Sequence, residues 1–157
     1  MFFRFLKYAA AMALASLIFS NASFARDDGV VRVKSAYSMQ ETIARLKQDV
    51  AAKGIMFFSE VDQSALAAKA GITIRPSTLL TFGNPPLGTQ FIAAKPEAGL
   101  DWPVRLLVQQ DEKGEVWAVY TDFGWIARRH GVAGEAAKPF QTASGVITSI
   151  TSSIKAN

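Results

Sequence analysis

A chain of 157 residues, half of them hydrophobic and 19% charged, has the composition of one globular domain rather than of a disordered segment. Without cysteine it can form no disulfide, thiolate metal site or thiol nucleophile, and a single histidine cannot build a polyhistidine metal centre. A net charge of +4 gives no argument for nucleic-acid binding.

The first 25 residues have the make-up of a secretory signal peptide. Arg4 and Lys7 precede an uncharged run over residues 8–19, and Ser23 and Ala25 place small residues at −3 and −1 of a cleavage site after Ala25. Ser20, Asn21 and Ser23 interrupt the apolar run before it reaches the roughly 20 residues of a membrane span. The expected destination is the periplasm or the exterior, with no stable membrane anchor after cleavage. Cleavage also removes two of the chain's 17 basic residues and none of its 13 acidic ones, so part of the basic character belongs to the leader.

One α+β domain is expected over residues 29–155. Residues 30–35 alternate as a short strand, with Val31 and Val33 opposite Arg32 and Lys34. Ser38 and Glu41 have the spacing of a capping box, in which each side chain would bond the other's backbone N–H. Behind it Met39, Ile43, Leu46 and Val50 make a helical stripe that Gly54 ends. A strand follows over residues 55–61. Asp62 can cap an alanine-rich helix over 63–70, and the small side chains predict close packing of that helix against the sheet. Residues 104–110 and 115–121 read as two strands joined by a turn at Asp111-Glu112-Lys113-Gly114. Both faces of this hairpin carry apolar groups, which places it centrally. Asp122 can cap a helix over 123–130 with Gly131 as its stop. In the tail, Phe140, Ala143, Ile147, Ile150 and Ile154 fit a helical stripe, which is favoured over a strand reading of Val146, Ile150 and Ile154.

The most constrained stretch is residues 75–105, which holds five of the six prolines. An apolar run, Leu79 to Phe82, ends at Gly83-Asn84-Pro85-Pro86; Gly88 opens a helical segment; and Pro96 cannot continue it, because proline lacks the N–H and clashes with the preceding turn. Arg75-Pro76 with Leu79-Leu80, the Phe82-Gly83-Asn84-Pro85 turn, Gly88-Thr89 and Gly99-Leu100-Asp101-x-Pro103-x-Arg105 together resemble the domain of unknown function 302 family, and the similarity runs from about residue 31 to 131. The family has no established activity. The resemblance implies an antiparallel sheet of about five strands backed by helices, a TATA-binding-protein-like arrangement without DNA binding, and pairing as a homodimer. Many relatives carry histidine where this chain has Gln63, which weighs against imidazole chemistry here.

Few residues offer themselves for chemistry. Asp101 stands at a glycine–proline corner, where aspartate commonly forms a turn, and it could instead pair with Arg105 or Arg75 at the mouth of a pocket. His130 sits where a cation complements a helix C-terminus, as do Arg128 and Arg129. Glu60 and Asp62 read as solvent-facing and capping. The loop from Gly83 to Gly88 lacks the phosphate-loop pattern, and its two prolines remove donors. Trp102, Trp117, Tyr120, Phe123 and Trp125 read as core. The candidate ligand-binding set is Arg75, Asn84, Asp101, Arg105, Tyr120 and His130, with no catalytic residue, metal or cofactor assigned. The favoured function is a non-catalytic periplasmic module for a small, partly apolar ligand. Its rivals are an enzyme using Asp101, Tyr120 or His130 in acid–base work, and an envelope or stress protein acting through protein contact alone.

Overall fold

The computed structural model describes residues 28–156. The leader and its cleavage point after Ala25 lie outside the described residues. One five-stranded antiparallel sheet is formed by β1 (Val30–Lys34), β2 (Met56–Asp62), β3 (Ser77–Gly83), β4 (Val104–Gln110) and β5 (Val116–Thr121), in the order β1-β5-β4-β3-β2. The helices are α1 (Met39–Ala52), α2 (Gln63–Lys69), α3 (Pro85–Ala94), α4 (Phe123–Arg129) and α5 (Lys138–Ser152), with 3-10 turns at Pro96–Asp101 and Gly134–Ala137. The expected α+β class, strand number and single domain are all found.

Alternation along the strands decides which face the helices cover. Leu80 and Phe82 of β3, Leu106 and Val108 of β4, and Val116 and Ala118 of β5 point to one side and are buried. Against them pack Leu46 and Val50 of α1, Phe91 of α3, Phe123, Ile126 and Ala127 of α4, and Phe140, Ala143, Ile147 and Ile150 of α5. Phe91 stacks on Phe140 with ring centroids 4.0 Å apart. A side chain of this size contributes about 1.5–3 kcal/mol when fully buried, so this layer is the main source of stability in a chain without cross-links. The other face is open. Cross-strand register lines up Val61, Leu79, Leu107 and Val119 in one row across four strands, all half-buried.

The caps and stops follow the sequence reading with three corrections. Ser38 accepts from the Glu41 N–H, but the Glu41 carboxylate turns to Arg45, so only half of the capping box forms. The helix placed at Gly88 begins at Pro85, because proline suits the first helical turn, where its missing N–H costs nothing. The alanine-rich α2 buries no residue at all. Alanine permits close approach but gives little surface to bury. The helix is instead held at its start, where Asp62 caps the Ala65 N–H and Gln63 bonds Ser77.

Candidate functional site

The 3-10 turn Pro96–Asp101 delivers Asp101 to the sheet end where β4 begins. Strand β5 runs back to that same end, and the cap at Asp122 starts α4 there. Helix α4 therefore brings Arg129 and His130 over Asp101. The carboxylate of Asp101 is almost completely buried, at 5% exposure. Its Oδ2 lies 2.7 Å from His130 Nε2 and 3.4 Å from Arg129 Nη1. Its Oδ1 lies 3.2 Å from Arg129 Nη1 and 3.6 Å from Arg105 Nη2. The same Arg105 nitrogen donates to the Leu100 carbonyl at 2.9 Å, and the Arg129 guanidinium lies over the Trp125 ring. The His130 side chain is 7% exposed, whereas Arg105 and Arg129 are 56% and 44% exposed. Burying a lone carboxylate would be costly; here three partners from two elements surround it.

A narrow space of about 20 Å³ adjoins this cluster, lined by Asp101, Val104, Arg105, Tyr120, Thr121, Phe123 and Ile126. Burial raises the pKa of its Tyr120 phenol above the ordinary value, while Thr148 and Thr151 of α5 act in the opposite direction. Burial thus favours the neutral phenol.

Val104 and Phe123 also line a second cavity, of about 40 Å³, whose floor is Phe82, Phe91, Trp102, Ile147 and Ile150. Gly83 and Gly88 make room for the Trp102 indole, and a methyl on Gly88 would overlap it. The cavity shares Ile55, Asn84, Leu87 and Val146 with an outer groove that adds Lys53, Thr142, Gly145 and Ser149. Asn84 occupies the cap position of α3 without making a side-chain cap bond, which leaves its amide at the mouth of the groove.

The sequence-derived set therefore divides. Asp101, Arg105 and His130 come together with Tyr120 beside them, Asn84 stands at the groove of the same sheet end, and Arg75 lies at the opposite end, 3.8 Å from Glu112. Of the two partners weighed for Asp101, the structure pairs Arg105. From the sequence Arg129 reads only as a helix-end cation, and Lys53, Thr142, Gly145 and Ser149 carry no sign of a site. The adjacent run Arg128-Arg129-His130 was the signal available for the first; nothing local pointed to the others.

Comparison with known proteins places this geometry in a family. Over 125 residues the chain is 38% identical to a fluoride-specific ion channel, FluC 1, of Brucella suis, covering 78% of this chain and 49% of that protein. It is also 38% identical to FluC 2 of Brucella melitensis, covering 78% of this chain and 46% of that one. The chain thus spans about half the length of these relatives. The crystal structure of an uncharacterized conserved protein from Bacillus stearothermophilus shares the fold, with a TM-score of 0.74 at 15% identity, over 82% of this chain and 99% of that one. The model of the domain of unknown function DUF302 family matches residues 31–150, and the chain belongs to that family.

Proposed function

We propose that the mature chain is an exported, non-catalytic module that takes a small, partly apolar ligand in the groove at Asn84. The observation that carries this reading is the groove itself: an apolar floor at Trp102 and Phe91 opens past Asn84 to a rim bearing Lys53, Thr142 and Ser149. Apolar walls with a few polar groups at the mouth are the usual make-up of a ligand site. The Asp101 cluster weighs against catalysis. An acid or base must reach its substrate, yet Asp101 is committed to His130, Arg129 and Arg105, and the adjoining space of about 20 Å³ has room for little more than one water.

A contact role is the second reading, and the Brucella relatives favour it. No helix among the described residues is long and apolar enough to cross a membrane. We therefore assign the channel of those relatives to the part of them outside the match, and to this domain a role beside it. The row Val61, Leu79, Leu107 and Val119 on the open face suits pairing with a second copy, since an exposed apolar sheet face calls for cover.

Gly145 allows a direct test of the groove. A Cβ added there meets nothing within 4 Å, and Gly145 lines the groove, so Gly145→Phe should fill the groove without displacing the core. In a thermal-shift screen of short-chain acids, alcohols and amines, a ligand at 100 times its dissociation constant adds about 2.7 kcal/mol of stability. The expected result is a shift in the wild type that Gly145→Phe removes. A shift that survives the substitution moves the site elsewhere, and turnover of a bound compound replaces the module with an enzyme. Light scattering at micromolar concentration should give a dimer mass that Leu107→Glu halves.

A further inference from the structure

On the far side of Val104 and Phe123 from the groove, the two arginines present a second, independent feature. We infer that Arg105 and Arg129 together form a binding site for a small oxyanion group, a carboxylate or a phosphate. Three observations lead there. First, charge: two guanidiniums meet one carboxylate, so one positive charge has no counterpart within the cluster even with His130 neutral. Neutralising Asp101 would need only one of them. The nearby Glu97 is paired with Lys95 at 3.5 Å and does not supply the missing charge.

Second, exposure is divided by role. The shared carboxylate is 5% exposed, whereas the arginine side chains are 56% and 44% exposed. A guanidinium carries five N–H donors in a fixed plane. Arg129 uses Nη1 toward Asp101, and Arg105 uses Nη2 toward Leu100 and Asp101. The other donors remain for a solvent-side acceptor. Third, both groups are held. Arg129 is fixed between Asp101 and the Trp125 ring, and Arg105 between Asp101 and the Leu100 carbonyl. Each borders the same oxygen, Asp101 Oδ1, so the two guanidiniums flank one carboxylate oxygen. Paired, preoriented forks match the oxygens of a carboxylate or phosphate and bind them bidentately.

The test uses the mature chain, residues 26–157, with inorganic phosphate, sodium acetate and sodium fluoride as probes, each against sodium chloride at equal ionic strength. Unfolding midpoints and nitrogen-15 shifts of the arginine side chains are followed. Phosphate, acetate or both should raise the midpoint and move the Arg105 and Arg129 signals, and the stronger of the two decides which oxyanion chemistry the site takes. Arg105→Ala and Arg129→Ala should each weaken binding at least tenfold, while Arg75→Ala, at the other sheet end, leaves it unchanged. If an alanine variant fails to fold, Arg129→Lys keeps the charge, loses the fork and should still weaken binding. Gly145→Phe should have no effect, which separates this site from the groove. The inference falls if neither oxyanion exceeds the chloride control, if fluoride alone acts, or if binding persists in Arg105→Ala/Arg129→Ala.

Discussion

The two ends of the sheet each pair an arginine with an acid, and the pairs are unequal. At the start of β4, Asp101 is buried beneath Arg105, Arg129 and His130. At the other end Arg75 faces Glu112 at 3.8 Å, with 59% and 84% of the two side chains exposed. Exposed pairs of this kind contribute between about 0 and 1 kcal/mol. What orders the Arg75 end is carboxylates that accept backbone N–H groups. Asp62 caps Ala65, and Asp111 accepts from Lys113, Glu115 and the Trp117 indole. Thus the same residue types hold one end by a buried charge cluster and the other by turn chemistry.

Four substitutions test that contrast. Asp101→Ala should have the largest effect, a loss of about 3 kcal/mol, since hydrogen bonds to charged groups contribute about 1.5–3 kcal/mol and several are lost together; urea unfolding would measure it, and a loss below about 1 kcal/mol would make the two ends equivalent. Gly88→Ala comes next. The added methyl must displace Trp102, the neighbour of Asp101, and overpacking of this kind costs about 1–3 kcal/mol. A neutral result would show that the indole is free to move.

At the opposite end, Asp62→Ala should lower the unfolding midpoint by a few degrees at neutral pH. The hydrogen bond from the Ala65 N–H, followed by that from Ser64, holds the Asp62 carboxyl below its ordinary 3.8. A folded-state value that is depressed gives stability present above 3.8 and lost as pH falls through the folded value. The gap between wild type and variant should therefore be full at neutral pH and close in acid; a gap independent of pH would remove the cap from the explanation. Arg75→Ala should have the smallest effect, under about 1 kcal/mol and smaller still at high salt.

The contrast also separates what the sequence could tell from what it could not. Asp101 and Arg105 stand four residues apart, so their pairing was open to local reading. Arg129 and His130 reach the same carboxylate only because β5 returns to the start of β4 and α4 folds over it, which no spacing expresses. Likewise Asn84 was visible as part of a glycine–proline turn, while the far wall of its groove, Thr142, Gly145 and Ser149, belongs to a helix whose apolar stripe was readable but whose partner was not. Local signals did well elsewhere: all five residues of the tail's stripe, Phe140, Ala143, Ile147 and Ile150 in α5 and Ile154 just beyond its end, are buried. They did poorly where burial depends on the neighbour, as in α2, whose alanines suit a packed or an exposed helix equally.

The strand order bears on how the domain comes together in time. Strands β2 to β5 follow one another across the sheet, so each can add to its predecessor as the chain lengthens. Strand β1 precedes them all, yet among the described residues its only neighbour in the sheet is β5, the last strand made. Contacts between segments so far apart in sequence are slow to form. Until β1 docks, the edge of β5 from Val116 to Thr121 is an unsatisfied template, able to recruit a strand from another molecule. Loss of the first strand would therefore leave β5 as an open edge and make the domain prone to aggregate.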